Sequence, residues 1–69
     1  MIRLKIKEVA ALKGFSQRQL ILRSGVDVRI IKRVLRDPYT NITLHTLDKF
    51  AKVLGVGADM LIESVPDPE

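Results

Sequence analysis

The amino-acid sequence predicts an all-α fold of five short helices in a single small domain. A chain of 69 residues has room for one hydrophobic core. Four glycines and Pro38 divide it into short segments, inside which apolar residues recur at three- and four-residue spacing, as on one helix face. The chain has no cysteine and one histidine, which excludes disulfides and metal sites built from thiolates or several histidines.

The first helix is predicted over residues 4–13. Ile6, Val9 and Ala10 stand at the i, i+3, i+4 positions of a helical stripe. Gly14 follows them, where the C-terminus of a helix is expected. The start of this helix stays open, because residues 2–6 alternate apolar and charged side chains and fit a strand as well.

The second helix is predicted to begin after Ser16 and to end at about residue 24. The Ser16 hydroxyl can accept hydrogen bonds from backbone N–H groups of the first turn. Gln19, three residues later, completes the pattern of a capping box, and Phe15 and Leu20 occupy the two positions of a hydrophobic staple. Gly25 is expected to end this helix.

The third helix, predicted over residues 28–36, divides into a cationic face and an apolar face. Asp27 can cap its first turn, and Asp37 precedes a proline, a position that resists the helical conformation. At about 100° per residue, four cations and one valine share a face about 140° wide. The residues of this face are Val28, Arg29, Lys32, Arg33 and Arg36, and opposite them lie Ile30, Ile31, Val34 and Leu35.

A fourth helix is predicted over residues 44–54, with Thr43 as its cap and Gly55 after its end. Its apolar stripe is expected to form core. A short fifth helix is predicted over residues 58–63. The domain is therefore expected to span residues 1–63, followed by a disordered tail over residues 64–69.

The distribution of charge favours an anionic partner on one face. The chain carries a net charge of +4, but residues 1–36 carry +8 and residues 37–69 carry −4. Cations three or four residues apart on a helix repel one another, and an acidic partner would relieve that repulsion. An ordinary solvated basic surface would give the same pattern, so charge alone leaves both interpretations open.

The order of the second and third helices indicates the nature of that partner. A short helix, a turn that contains glycine and a second helix together form a helix-turn-helix unit. In such a unit the second helix enters the major groove of duplex DNA. An arginine there can donate two hydrogen bonds to one guanine. The sequence therefore predicts double-stranded DNA binding through residues 28–36.

Several segments at the right mutual spacing resemble the Cro/repressor (xenobiotic-response-element) type of helix-turn-helix family, the lambda-repressor-like DNA-binding domains. The resemblance covers residues 4–62 and implies a compact five-helix bundle with a central helix-turn-helix. In that family the second helix lies across the DNA backbone and the third helix reads bases. The segments are Ser16-Gln17-Arg18-Gln19-Leu20, Ser24-Gly25-Val26, Ile31 and the fourth-helix stretch of residues 46–56.

The resemblance also implies roles for individual residues. The base-contacting positions fall on Val28, Arg29 and Arg33, with Lys32 beside them. Positions that contact phosphate lie in the second helix, at the end of the third helix and in the loop that follows. They correspond to Gln17, Arg18, Arg36, Tyr39, Thr40 and Asn41.

Three departures from the family pattern involve four positions. Ile21 stands where a small residue is usual, so either the two helices are spread or this side chain turns outward. Ala10 and Leu35 replace a frequent Arg–Glu pair, which implies that an apolar contact has taken its place. Ile30 stands where a small polar residue is usual, and it lies either at the edge of the core or in solvent.

The resulting interpretation is a sequence-specific DNA-binding domain, either a natural transcriptional regulator or an engineered binder. The alternative is a protein-interaction module, antitoxin-like or adaptor-like, with Ile21, Val28 and Ile30 as one exposed apolar patch. The pattern indicates no enzyme, cofactor or metal site. A homodimer on palindromic sites or a monomer is compatible with the sequence. No membrane segment or signal peptide is recognisable, so a cytoplasmic, nucleoid-associated protein is expected.

Overall fold

A computed structural model describes residues 1–68, which form four α-helices, one short 3-10 helix and a two-stranded antiparallel sheet. The mostly helical, helix-turn-helix character of the prediction is confirmed. In chain order the elements are β1 (Ile2–Leu4), α1 (Ile6–Leu12), α2 (Gln17–Ser24), α3 (Val28–Arg36), α4 (Leu44–Leu54), the 3-10 helix (Ala58–Leu61) and β2 (Ile62–Ser64).

The prediction of five helices is wrong at the C-terminal segment. Residues 58–63 do not form one helix, because the 3-10 helix ends at Leu61 and the backbone becomes extended at Ile62. The cause is a distant partner: Ile2 pairs with Ser64 and Leu4 pairs with Ile62 in antiparallel register. A helix over these residues would leave the backbone groups of β1 without partners.

The same pairing settles how the chain begins. Residues 2–4 form a strand, and α1 begins only at Ile6. Two backbone hydrogen bonds attach this junction to the C-terminal half of the chain: the Leu4 N–H donates to the Pro38 carbonyl and the Lys5 N–H to the Leu61 carbonyl, each at 2.7 Å. The strand alternative is therefore correct for residues 2–4, and the predicted first helix is confirmed only from Ile6 onward.

Arg3 links the sheet to the first helix. Its guanidinium lies 2.6 Å from a Glu63 carboxylate oxygen and 2.8 Å from one of Glu8, so that one side chain bridges β1, β2 and α1. The hydrogen bond to Glu63, aided by the charges of both carboxylates, raises the pKa of Arg3 above its ordinary value. The pair of strands is thus held by side chains as well as by its backbone.

The predicted tail begins inside the sheet. Ser64 belongs to β2, and the Val65 N–H donates to the Met1 carbonyl at 2.9 Å. The terminal ammonium of Met1 also contacts the Asp67 carboxylate. No regular element covers residues 65–68, and Glu69 lies outside the described residues.

The predicted boundaries of α2 are confirmed in detail. The Gln19 N–H donates to the Ser16 hydroxyl at 3.2 Å, and the Ser16 N–H donates to the Gln19 side chain at 3.0 Å, which is the predicted capping box. Gly25 ends the helix with a φ of 70°, in the left-handed region that glycine adopts without strain. The turn into α3 therefore starts from a backbone geometry that its own sequence encodes.

The core draws at least one residue from each helix and from β1. No charged or polar side chain is buried in it among the described residues. Helix α4 contributes four buried residues, as its apolar stripe predicts. The largest fully buried side chains are Phe50, Ile6, Leu20, Ile31 and Leu61.

Two leucines of α2 give a matched test of this core. Leu20 is 1% exposed and Leu22 is 73% exposed. We expect Leu20→Ala to lower the free energy of unfolding by about 2–5 kcal/mol, because it removes buried methyl groups and leaves a cavity. Leu22→Ala should change it by less than about 0.5 kcal/mol. Urea unfolding followed by circular dichroism measures both, and equal losses would contradict the placement of α2.

Candidate nucleic-acid interface

The third helix begins directly after Asp27 and ends directly before Asp37-Pro38, as the sequence predicts. Asp27 Oδ1 accepts a hydrogen bond from the Arg29 N–H at 2.8 Å and so caps the first turn of α3. At the other end the Asp37 N–H donates to the Arg33 carbonyl at 2.8 Å, and Asp37 itself has extended backbone angles. These two ends give α3 a length of nine residues.

Asp27 has a second role that the sequence did not reveal. Its carboxylate also lies 3.4 Å from the Arg29 Nε, although the Arg29 side chain is 86% exposed. The backbone N–H of Arg29, followed by its guanidinium, lowers the pKa of Asp27 below its ordinary value. The capping carboxylate therefore also lies beside the guanidinium of Arg29 at the first turn of α3.

The cationic face of α3 lies in solvent. Ile31 and Val34 are buried on the opposite side of the helix. Val28 is 39% exposed at the N-terminal end of the cationic face. Within residues 1–68, no carboxylate forms an ion pair with the three remaining cations, Lys32, Arg33 and Arg36, all of which are exposed.

Three of the predicted contact residues line one groove. Gln17 at the start of α2 and Lys32 and Arg36 on α3 border an open depression of about 540 Å³, which also contacts α1. Lys7 of α1 borders the same groove. The sequence gives no signal for Lys7 at this site, since no local pattern connects α1 with the exposed face of α3.

A second, smaller groove of about 150 Å³ joins Arg33 to the loop between α3 and α4. Asn41 of that loop lies on its border, together with Thr43 and Thr46 at the start of α4. The sequence assigned Thr46 no role of its own and Thr43 only the role of a helix cap. The structure confirms that role as well, since the Thr46 N–H donates to the Thr43 hydroxyl at 3.1 Å.

The remaining predicted residues lie outside these two grooves. Arg18 is exposed on the first turn of α2. Tyr39 is 45% exposed, and its N–H donates to the Asp37 carboxylate at 3.0 Å, which orders the start of the loop. Thr40 is half-buried beside β1 and the N-terminal part of α4.

The positions that depart from the family pattern are all buried or half-buried. Ile21 and Ile30 are half-buried and pack against the core, so Ile21 does not turn outward and Ile30 lies at the core edge. They therefore do not join Val28 in one exposed apolar patch, the feature that favoured a protein-interaction module. Ala10 is buried and Leu35 half-buried, and both line the larger groove between α1 and α3.

Two short helices joined by a glycine turn, the second with an exposed cationic face, define a helix-turn-helix protein. The chain matches the helix-turn-helix family model HTH_3, of Cro/C1 type, over residues 6–61, and it belongs to that family. The family resemblance noted in the sequence is thereby confirmed.

A solved structure gives the same result at the level of the fold. This chain resembles a crystal structure of "a putative DNA-binding protein from Bacteroides fragilis" with a TM-score of 0.78 and 30% sequence identity. The match covers 91% of this chain and 100% of that protein. No curated protein matches the chain at the significance required.

No helix within residues 1–68 combines the length and the apolar character that crossing a bilayer requires. Nor do three metal-ligating side chains cluster anywhere in that range.

The cap of α3 predicts a specific dependence of stability on pH. Because its pKa is lowered on folding, Asp27 stabilises the fold above its unfolded-state pKa, near 3.8, and that contribution disappears as pH falls through the lower folded-state pKa. Wild type should therefore exceed Asp27→Asn in unfolding free energy at neutral pH, and the difference should vanish in stronger acid. Urea titrations at several pH values measure it, and a difference independent of pH would contradict the assignment.

Proposed function

We propose that this chain is a sequence-specific double-stranded DNA-binding domain in which α3 enters the major groove. The observation that carries the proposal is the exposed face of α3, where Lys32, Arg33 and Arg36 have no ion-pair partner within residues 1–68. The helix-turn-helix family and the likeness to a structure described as DNA-binding support it. A natural transcriptional regulator and an engineered binder would use this face alike, and a chromosomal target implies a cytoplasmic, nucleoid-associated protein.

We assign base contacts to Val28, Arg29, Lys32 and Arg33. An arginine can donate two hydrogen bonds to the O6 and N7 atoms of guanine, and Val28 can pack on a thymine methyl group. The Arg29 guanidinium lies 3.4 Å from Asp27, and its side chain is 86% exposed and open to a partner. Arg33 is free to turn toward the bases of the DNA major groove, because no carboxylate within residues 1–68 pairs with it.

Phosphate contacts position the domain on the duplex without reading its sequence. Gln17 is the first residue of α2, where backbone N–H groups and the helix dipole favour a phosphate. The smaller groove joins Asn41 to Arg33, so the loop and α3 can approach one strand together. The full proposed set is Gln17, Arg18, Arg36, Tyr39, Thr40 and Asn41.

Selection from a library of random DNA duplexes at moderate salt tests the proposal directly. We expect one enriched motif of a few base pairs. A palindromic motif would indicate a homodimer and a single half-site a monomer, because operator symmetry mirrors protein symmetry. For a dimer, Met60, which is 51% exposed, marks a candidate contact region beside β2. Salt-sensitive retention of all duplexes without an enriched motif would contradict base reading.

Single substitutions on α3 separate the two kinds of contact. We expect Arg33→Ala to cost about 1–3 kcal/mol on the selected site and to relax the preference at one base pair. Lys13→Ala, at an exposed cation beyond α1, is the matched control and should leave base preference unchanged. Fluorescence anisotropy on the selected duplex and on single-base variants measures both. A uniform loss on every duplex for Arg33→Ala would reassign this residue to phosphate contact.

A further inference from the structure

The larger groove has an apolar floor that contact with a DNA backbone does not require. Five of its nine lining residues are apolar, and its volume of about 540 Å³ lies within the ~300–1,000 Å³ of ordinary small-molecule sites. The floor exists because neither Ala10 nor Leu35 carries a charge at the contact between α1 and α3. Its residues are Ala10, Ala11, Phe15, Leu20 and Leu35.

The rim of this groove is cationic. Lys7, Lys32 and Arg36 border it, all three are exposed, and none of them forms an ion pair within residues 1–68. Lys32 and Arg36 are four residues apart on α3, so their charges repel each other. Among residues 1–68, no acidic side chain lines the groove, and only the amide of Gln17 adds a neutral polar group.

We infer that this groove binds a small carboxylic acid with an apolar body. The body would cover the floor around Ala10 and Leu35, and the carboxylate would lie at the rim, where Arg36 can donate two parallel hydrogen bonds. A neutral apolar molecule would leave the three cations unpaired. A DNA phosphate would meet the rim and leave the floor in water. A ligand that has both an apolar body and a carboxylate covers the floor and also pairs with the cations of the rim.

Binding of such a ligand would compete with DNA. Lys32 and Arg36 belong both to the rim and to the surface assigned to DNA, so a carboxylate that neutralises them weakens attraction to phosphate. This consequence rests on the proposed function, whereas the ligand site does not. The domain itself would then respond directly to an organic acid.

Titration of the full, nitrogen-15-labelled chain in the absence of DNA tests the site. Sodium octanoate is the probe, and sodium acetate and 1-octanol supply its charged and apolar parts separately. We expect octanoate to shift the amide resonances of Ala10, Ala11, Phe15 and Leu35 saturably, with at least about tenfold higher affinity than either control. Equal effects from octanol or acetate, or shifts centred elsewhere, would overturn the inference.

Matched variants locate the site within the structure. Ala11→Trp fills the groove, while Leu12→Trp places the same ring on a neighbouring residue that is 85% exposed and outside the lining. Lys7→Gln removes a rim cation, and Lys13→Gln removes one outside the groove. Octanoate affinity should fall about tenfold in Ala11→Trp and in Lys7→Gln and stay unchanged in the two controls. Unchanged octanoate affinity in Ala11→Trp and Lys7→Gln would contradict a ligand site in this groove.

A competition assay separates this inference from the proposed function. Octanoate should lower affinity for the selected duplex in wild type and have little effect in Ala11→Trp. Octanoate binding by a chain that binds no DNA would overturn the proposed function and leave the ligand site intact. DNA binding without any octanoate binding would overturn the ligand site alone. If octanoate and the duplex bind at the same time without affecting each other, the inferred competition between them is wrong.

Discussion

Burial of Ile31 and Val34 is the interaction on which the exposed surface of this protein depends. Both side chains lie on one side of α3, and Ile31 is fully buried. Because α3 contacts α1 and α2 through that side, the four cations on its opposite side are exposed to solvent. Burial of such a side chain contributes about 1.5–3 kcal/mol, far more than a solvated charge gains from any one orientation.

None of the helices is long enough to be stable by itself. The longest has eleven residues, and isolated helices shorter than about 12–15 residues are marginal in water. Stability therefore comes from packing around one core and from caps that satisfy the helix ends. Ser16, Asp27 and Thr43 each accept a hydrogen bond from the first turn of α2, α3 and α4, respectively. The two-stranded sheet joins residues 2–4 to residues 62–64, and Arg3 bridges Glu8 and Glu63 beside it.

The candidate interface was predictable where it depends on one helix and unpredictable where it depends on several. The angular positions of Arg29, Lys32, Arg33 and Arg36 follow from the geometry of α3, so their common face could be read from spacing. The place of Lys7 could not, since it reaches the groove only through the packing of α1 against α3. The same reason explains Ile21 and Ile30, whose burial depends on how closely neighbouring helices approach.

The sequence by itself determined the presence of the four α-helices, the caps of α2, α3 and α4 and the cationic face, because each depends on residues a few positions apart. Helix geometry and capping chemistry are local, and local signals survive in a linear pattern. Only the tertiary structure decided that residues 62–64 form a strand, since their partner lies about sixty residues away along the chain. It alone also assembled the groove of Lys7, Lys32 and Arg36 over an apolar floor, because three helices must pack before that groove exists.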